Sequence, residues 1–99
     1  MVEILKPINA LYINNNKVLS LPITVVFGNI EVEVQAVDNG SGINRVEFYV
    51  DNELKKTDTI SPYSWTWSEQ AFFKHSLKVI VYDNAGNNAT IEIPLWKFF

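Results

Sequence analysis

Apolar and polar residues alternate along four segments of the chain. In the first segment, "IEVEVQAV", one face carries Ile30, Val32, Val34 and Ala36, while Glu31, Glu33 and Gln35 occupy the other. The same alternation occurs in "RVEFYV" (45–50), "SLKVIVY" (76–82) and "ATIEIPL" (89–95). A period of two indicates strands with one buried and one solvated face, which pair in antiparallel sheets.

Turn-forming residues separate these segments. The turns are "DNGSG" (38–42), "DNE" (51–53), "SP" (61–62) and "DNAGNN" (83–88), and Asx and Gly residues reverse a chain by tolerating positive φ and bonding their own backbone. Shorter strand candidates are "VEIL", "LYI", "VLSL", "TVVF", "LKKTD" and "YSWTW". The one non-strand possibility is a single helical turn that begins at Glu69 and is capped by Ser68, too short to stand alone. About seven short strands favour a β-sandwich over a five-stranded barrel, in a single domain spanning residues 1–99.

Composition narrows the function classes. The 99 residues carry a net charge of -3, and the 8 basic residues are scattered, so a nucleic-acid partner is not expected. No apolar run approaches the length needed for membrane insertion. The N-terminal segment lacks the features of a signal peptide, so in an exported parent this piece would be a fragment or lie downstream of the signal. Cysteine is absent, which excludes disulfides, thiolate metal sites and a cysteine nucleophile.

Five motifs together carry a family resemblance. They are "SGI" (41–43), "VEFYVD" (46–51), "TDT" (57–59), "PYSWTW" (62–67) and "YDNAGN" (82–87). In this order they resemble the immunoglobulin-like domains, of fibronectin type III character, found in bacterial and archaeal secreted or cell-surface proteins. The resemblance covers the chain from about Ile30 onward. The segment "PINALYINNN" is similar to the opening strand of such a domain.

The resemblance implies an all-β, immunoglobulin-like antiparallel sandwich of about seven strands. It also implies an extracellular or cell-surface location and a non-catalytic spacer or accessory role beside a protease, glycosidase or adhesin. The partners would be other domains of the same parent chain, and no cofactor is implied. Because the chain has no cysteine pair, and Trp65 lies on a later strand than the antibody tryptophan, packing alone must hold the sheets together.

Aromatic residues are the first candidate for ligand contact. Alternation places Tyr63, Trp65 and Trp67 on one face of their strand, where they could stack on sugar rings or fill the core. A small sandwich without disulfides needs the buried area, so we predict that Trp65 is a core residue. Trp67 and Trp96 remain possible ligand contacts. Trp96, with Phe98 and Phe99, could also dock on a neighbouring domain or cap the last strand.

The acidic residues and the single histidine form no recognisable catalytic set. Glycosidase chemistry needs two carboxyl groups facing each other across the substrate. Alternation instead places Glu31, Glu33, Glu47 and Glu92 on solvated outer faces. His75 has no second histidine or Gly-x-Ser-x-Gly elbow to join and is expected at the start of a strand. We therefore predict no catalytic residue, and the domain is not expected to be an enzyme.

Two polar turns are the remaining candidate site. In the resembled topology, Asp38 and Asp83 end strands that run in the same direction, so "DNGSG" and "DNAGNN" emerge at one end of the molecule. Asp38 and Asp83 are thus calcium candidates of low weight, because calcium takes 6–8 oxygens and usually several carboxylates from one loop. Local turn bonds, with strain relieved by Gly42 and Gly86, explain the residues as well. We predict no metal site.

Three functions from different classes remain open. The first is a non-catalytic accessory or spacer module of a larger extracellular protein. The alternative is a ligand-binding module for polysaccharide or a protein surface using exposed aromatics. A self-assembling fibre subunit is the third possibility, although Lys55, Lys56 and Asp58 on a predicted edge strand oppose it. Asn39 and Asn88 also match the glycosylation acceptor pattern.

Overall fold

A computed structural model describes residues 2–38 and 40–99, and these form ten β-strands. No helix in these two ranges is long and apolar enough to cross a membrane. The strands are β1 (Val2–Lys6), β2 (Ala10–Ile13), β3 (Asn16–Ser20), β4 (Val25–Phe27), β5 (Ile30–Ala36), β6 (Ile43–Val50), β7 (Glu53–Asp58), β8 (Tyr63–Trp67), β9 (Phe72–Asp83) and β10 (Asn88–Phe98).

The strands form two sheets packed as a sandwich, which confirms the predicted fold class. One sheet has three strands in the order β1-β5-β8, and the other has seven in the order β3-β2-β4-β10-β9-β6-β7. Most pairs are antiparallel, as the alternation predicted. β4 is the exception, because it runs parallel to both β2 and β10.

Ten strands are present where about seven were expected. The difference lies in the N-terminal third, where each short apolar run forms its own strand, β1 to β4, before β5 begins. The three-residue strand β4 has a neighbour on each side, β2 and β10, and so joins β2 and β3 to the rest of the large sheet. Isolated short strands are unstable, and these four persist because larger sheets accept them.

The predicted inner faces form the core. Each of the strands β5, β6 and β9 buries its predicted apolar face, and β10 buries Leu95 while Ile91 and Ile93 pack against the core edge. The buried core residues of these strands are Ile30, Val32, Val34, Val46, Phe48, Val50, Leu77, Val79, Val81 and Leu95. The period of two therefore identified the buried side of every long strand.

Two tryptophans of β8 form the centre of the contact between the sheets. The rings of Trp65 and Trp67 stack with centroids 5.7 Å apart and an interplanar angle of 17°. Trp65 also meets Phe48 of the opposite sheet at 6.2 Å. Trp65 is 9% exposed and Trp67 is 2% exposed. The prediction that Trp65 is a core residue is confirmed.

Lys97 is a buried charge that the alternation did not reveal. It follows Leu95 on the inner face of β10, is fully buried, and donates to the carbonyl oxygens of Glu69 (3.0 Å) and Phe99 (2.5 Å). Its ammonium also lies 5.3 Å from the ring centre of Trp67. Burial lowers the pKa of Lys97, an effect that the charge of Glu69 partly opposes.

The helical turn expected at Glu69 is not formed. Residues 68–71 make an irregular connection between β8 and β9. The Glu69 carbonyl accepts from Lys97, and its carboxylate pairs with Lys55 at 3.2 Å. A four-residue segment gains too little from helical bonds to resist these tertiary contacts, so the prediction for Ser68 and Glu69 was wrong.

Replacing Trp65 by alanine should destabilise the domain by about 3–5 kcal/mol, because the change removes a large buried ring and its contacts with Trp67 and Phe48. Urea unfolding monitored by circular dichroism measures the effect. The matched control is Ile60→Ala, since Ile60 is 76% exposed and its loss should change the free energy of unfolding by less than about 0.5 kcal/mol. A Trp65→Ala variant as stable as the parent would contradict the assignment.

Candidate functional site

The two polar turns meet at one end of the sandwich, as predicted. Asn84 donates its side-chain amide to the Ser41 carbonyl at 2.8 Å and its backbone N–H to the Gly42 carbonyl at 3.0 Å. The Ala85 N–H donates to the Ser41 hydroxyl at 3.1 Å. These bonds fasten the β5–β6 connection to the β9–β10 turn.

The carboxylates of this end are bonded within their own turns. Asp38 accepts from the N–H groups of Gly42 (2.7 Å) and Gly40 (3.3 Å). Asp83 accepts from the N–H groups of Ala85 (2.9 Å) and Asn87 (2.8 Å), and also from the Asn87 side-chain amide. The N–H of Asn87 is the main reason why the pKa of Asp83 lies below its ordinary value. Each carboxylate therefore has a local structural role.

A cavity of about 200 Å³ lies between the two turns. It is lined by Val37, Asp38, Ile43, Val81, Asp83, Asn87, Asn88 and Ala89. Gly42 and Gly86 adopt φ values of 87° and 91°, which is the role predicted for them. Among residues 2–38 and 40–99, no group of three or more histidine, aspartate or glutamate side chains is placed to hold a metal ion.

The glutamates of the outer faces lie where alternation placed them, but Glu47 is more enclosed than expected. Its side chain is 13% exposed and accepts from Tyr49 at 2.8 Å and Arg45 at 3.1 Å. Partial burial acts to raise the pKa of Glu47, and the bonds from Tyr49 and Arg45 outweigh it, so the pKa is lowered. Arg45 in turn lies 3.8 Å over the ring of Tyr82. This arrangement keeps Glu47 ionised and does not favour a general acid.

His75 belongs to a polar cluster at the other end of β9. It is the fourth residue of the strand, close to the predicted start, and its Nδ1 lies 2.6 Å from the Asp51 carboxylate. Its Nε2 bonds the Phe72 carbonyl at 3.0 Å. Asp51 also accepts from the Ser76 N–H, which with His75 lowers the pKa of Asp51. The cluster joins the β6–β7 turn to β9.

The two tryptophans named as possible ligand contacts have different environments. Trp67 is buried beneath His75, whose ring meets it edge-on at 5.9 Å, so Trp67 is not available to a ligand. This part of the prediction was wrong, because all three aromatic residues of β8 face the core. Trp96 is half-buried and borders a groove of about 300 Å³ that also includes Pro22, Ile23 and Pro94. Its possible ligand contact stays a prediction.

Five phenylalanines gather at the end of the large sheet that contains the end of β10. Phe27 stacks on Phe98 with centroids 5.2 Å apart, Phe73 meets Phe98 edge-on at 6.1 Å, and Phe72 meets Phe99 edge-on at 5.7 Å. We call Phe27, Phe72, Phe73, Phe98 and Phe99 the aromatic end. The sequence pointed to Phe98 and Phe99 only, because Phe27 and Phe72–Phe73 belong to distant segments.

One of the two predicted glycosylation acceptors lies within the described residues. Asn88 is exposed at the start of β10. Asn39 lies outside the described residues.

A bacterial Ig domain family model matches residues 15–93, which is most of the chain. The chain belongs to the bacterial Ig domain family. No curated protein matches this bacterial Ig domain.

Solved structures agree with the fold of this bacterial Ig domain. The fibronectin(III)-like modules of Clostridium thermocellum CbhA align at a TM-score of 0.74 with 21% identity over 100% of both chains. The endo-beta-1,4-mannanase of Thermotoga petrophila aligns at 0.67 with 10% identity over 97% of this chain and 19% of its own. A Jonesia denitrificans lytic polysaccharide monooxygenase aligns at 0.54 with 13% identity over 81% of this chain and 59% of its own. At these identities the matches show the shared fold.

Calcium should leave the melting temperature of the bacterial Ig domain unchanged, because the Asp38 and Asp83 oxygens already accept bonds from their turns. Specific binding would stabilise the folded state by RT ln(1 + [L]/Kd), so the melting temperature would rise with ligand concentration. Thermal unfolding in millimolar calcium, with equimolar magnesium as control, measures this. A melting temperature that rises with calcium and not with magnesium would show a site.

Asp83→Ala should lower the free energy of unfolding at neutral pH. The variant should also lose less of that free energy than the parent does when the pH falls. A carboxyl group whose pKa is lowered by folding stabilises above its unfolded pKa, and this contribution disappears as the pH falls through the folded pKa. The difference in the free energy of unfolding between the parent and the variant should therefore shrink below about pH 4. Urea unfolding between neutral and acidic pH measures the difference, with Glu3→Ala, an exposed carboxylate on β1, as control. Parallel pH profiles for parent and Asp83→Ala would refute the role of Asp83.

Proposed function

We propose that this bacterial Ig domain is a non-catalytic accessory or spacer module of a larger extracellular protein. The observation that carries the proposal is that the polar groups gathered by the fold bond one another or their own turns. Asp38 and Asp83 bond turn N–H groups, Asp51 holds His75, and Glu47 bonds Arg45 and Tyr49. A catalytic site needs groups directed at a substrate instead.

The neighbouring structures support the same proposal. In the mannanase, the part similar to this chain makes up 19% of the polypeptide, so the fold occurs there as a small unit of an enzyme. The CbhA match is to modules of fibronectin(III) type. By analogy, this domain would space, orient or shield a catalytic or adhesive domain of its own chain outside the cell.

A ligand-binding module is the second candidate, and the groove beside Trp96 is the observation that favours it. The groove combines apolar walls from Pro22, Ile23 and Pro94 with the polar side chain of Asn9, which accepts a bond from the buried Thr24 hydroxyl. A saccharide or a protein loop would suit this mixture. If soluble oligosaccharides quench the tryptophan fluorescence of the domain and Trp96→Ala abolishes the quenching, ligand binding is supported over the spacer role.

The isolated domain should hydrolyse no polysaccharide, peptide or ester. The assay compares the purified 99-residue chain with variants in which Glu47 or Glu92 is replaced by glutamine. Background turnover, if any, should be the same in all three samples, because it would come from a contaminant. Turnover that survives repurification and is lost in one carboxylate variant would overturn the proposed function.

A further inference from the structure

The aromatic end is an apolar surface built from three separate segments of the chain. Phe27 ends β4, Phe72 and Phe73 begin β9, and Phe98 ends β10. The exposed fractions are 36% for Phe27, 46% for Phe72, 70% for Phe73 and 63% for Phe99. Rings placed together in this way and left in water favour association with another surface.

The backbone of Phe73 is strained, although its side chain is largely exposed to water. Its φ is 74°, in the left-handed region that a bulky side chain rarely adopts. Burial of the ring within the domain does not offset this strain, because most of the ring is in water. Strained residues of this kind cluster at functional positions such as active sites, ligand clamps and switch regions.

The chemistry of the aromatic end fits an apolar protein surface better than a sugar. Phe27 and Phe98 stack on each other, so each already covers one face of its neighbour's ring. Phenylalanine offers no hydrogen-bonding group, whereas a saccharide needs polar partners for its hydroxyls. The polar side chain beside Phe73 is Lys74, whose ammonium lies 5.4 Å from the ring centre of Trp96.

The exposed area of the aromatic end distinguishes between two occupants, a second copy of this chain and another domain of the same polypeptide. With about 150–250 Å² for each phenylalanine ring, the exposed fractions amount to about 300–550 Å². A stable dimer of separate chains buries about 800 Å² on each partner. Contacts between domains of one chain start at about 300 Å² per side, since the linker supplies a high effective concentration.

We propose that the aromatic end docks onto an apolar surface of an adjoining domain in the same polypeptide, with a carboxylate at its rim facing Lys74. This inference rests on the proposed function as an accessory module. Lys74 forms no ion pair with any residue that the structure describes, so its charge is available to such a rim. Phe73 is the central contact, because it is the most exposed of the five rings.

The test compares Phe73→Asn with Ile60→Asn in the isolated domain and in the polypeptide that contains it. Asparagine accepts the left-handed backbone, so Phe73→Asn should unfold at the same or a higher temperature than the parent in the isolated domain. In the longer polypeptide it should lower the melting temperature of this domain to the isolated value. It should also speed amide exchange at residues 72–74 by about tenfold or more. Ile60→Asn, exposed elsewhere, should do neither.

Lys74→Glu should weaken the docking in the same way, with Lys56→Glu on the edge strand β7 as its control.

If Phe73→Asn leaves the longer polypeptide unchanged while deletion of the whole domain destabilises it, the docking surface is wrong and the accessory role survives. If deletion has no effect either, the accessory role itself fails. A concentration-dependent dimer of the isolated domain in sedimentation, abolished by Phe73→Asn, would identify a second copy as the occupant and overturn the proposal.

Discussion

The stacked indoles of Trp65 and Trp67 are the contact on which the rest of the sandwich depends. The three-stranded sheet has no disulfide to fix it to the large sheet, so its two tryptophans supply much of the buried area between them. Residues of three strands of the large sheet converge on this pair: Phe48 of β6, His75 of β9 and Lys97 of β10. The two tryptophans therefore pack in the hydrophobic core and also support the polar cluster of His75 and Asp51 near the start of β9.

The buried Lys97 connects the packing around Trp67 to the conformation of the β8–β9 connection. An ammonium inside a sandwich is costly unless its donors are satisfied. Lys97 meets this requirement with two carbonyl oxygens and the face of Trp67. The β8–β9 connection is fixed as a result, because one of those carbonyls belongs to Glu69. The loop conformation thus depends on a charge located on another strand.

The two ends of the large sheet differ in chemistry. At one end, Asp38, Asp83 and the surrounding amides satisfy one another across two turns. At the other, phenylalanines from three segments contact one another and remain open to water. The domain extends 38 Å along its longest axis, and β9 and β10 connect the two ends directly. The two ends of the domain therefore differ: one is polar with its groups bonded to one another, and the other is apolar and exposed to water.

The sequence by itself determined the strands, their buried faces and the turns, because period two and Asx-Gly chemistry are local properties. It also predicted that Trp65 fills the core, and the family resemblance implied that the two polar turns meet. Only the tertiary structure decided the parallel pairing of β4, the burial of Trp67 and Lys97, and the gathering of Phe27, Phe72 and Phe73 beside Phe98. These features depend on which strands become neighbours. Alternation along one strand cannot specify that choice, since the same inner face accepts a lysine when a distant loop offers the Glu69 carbonyl.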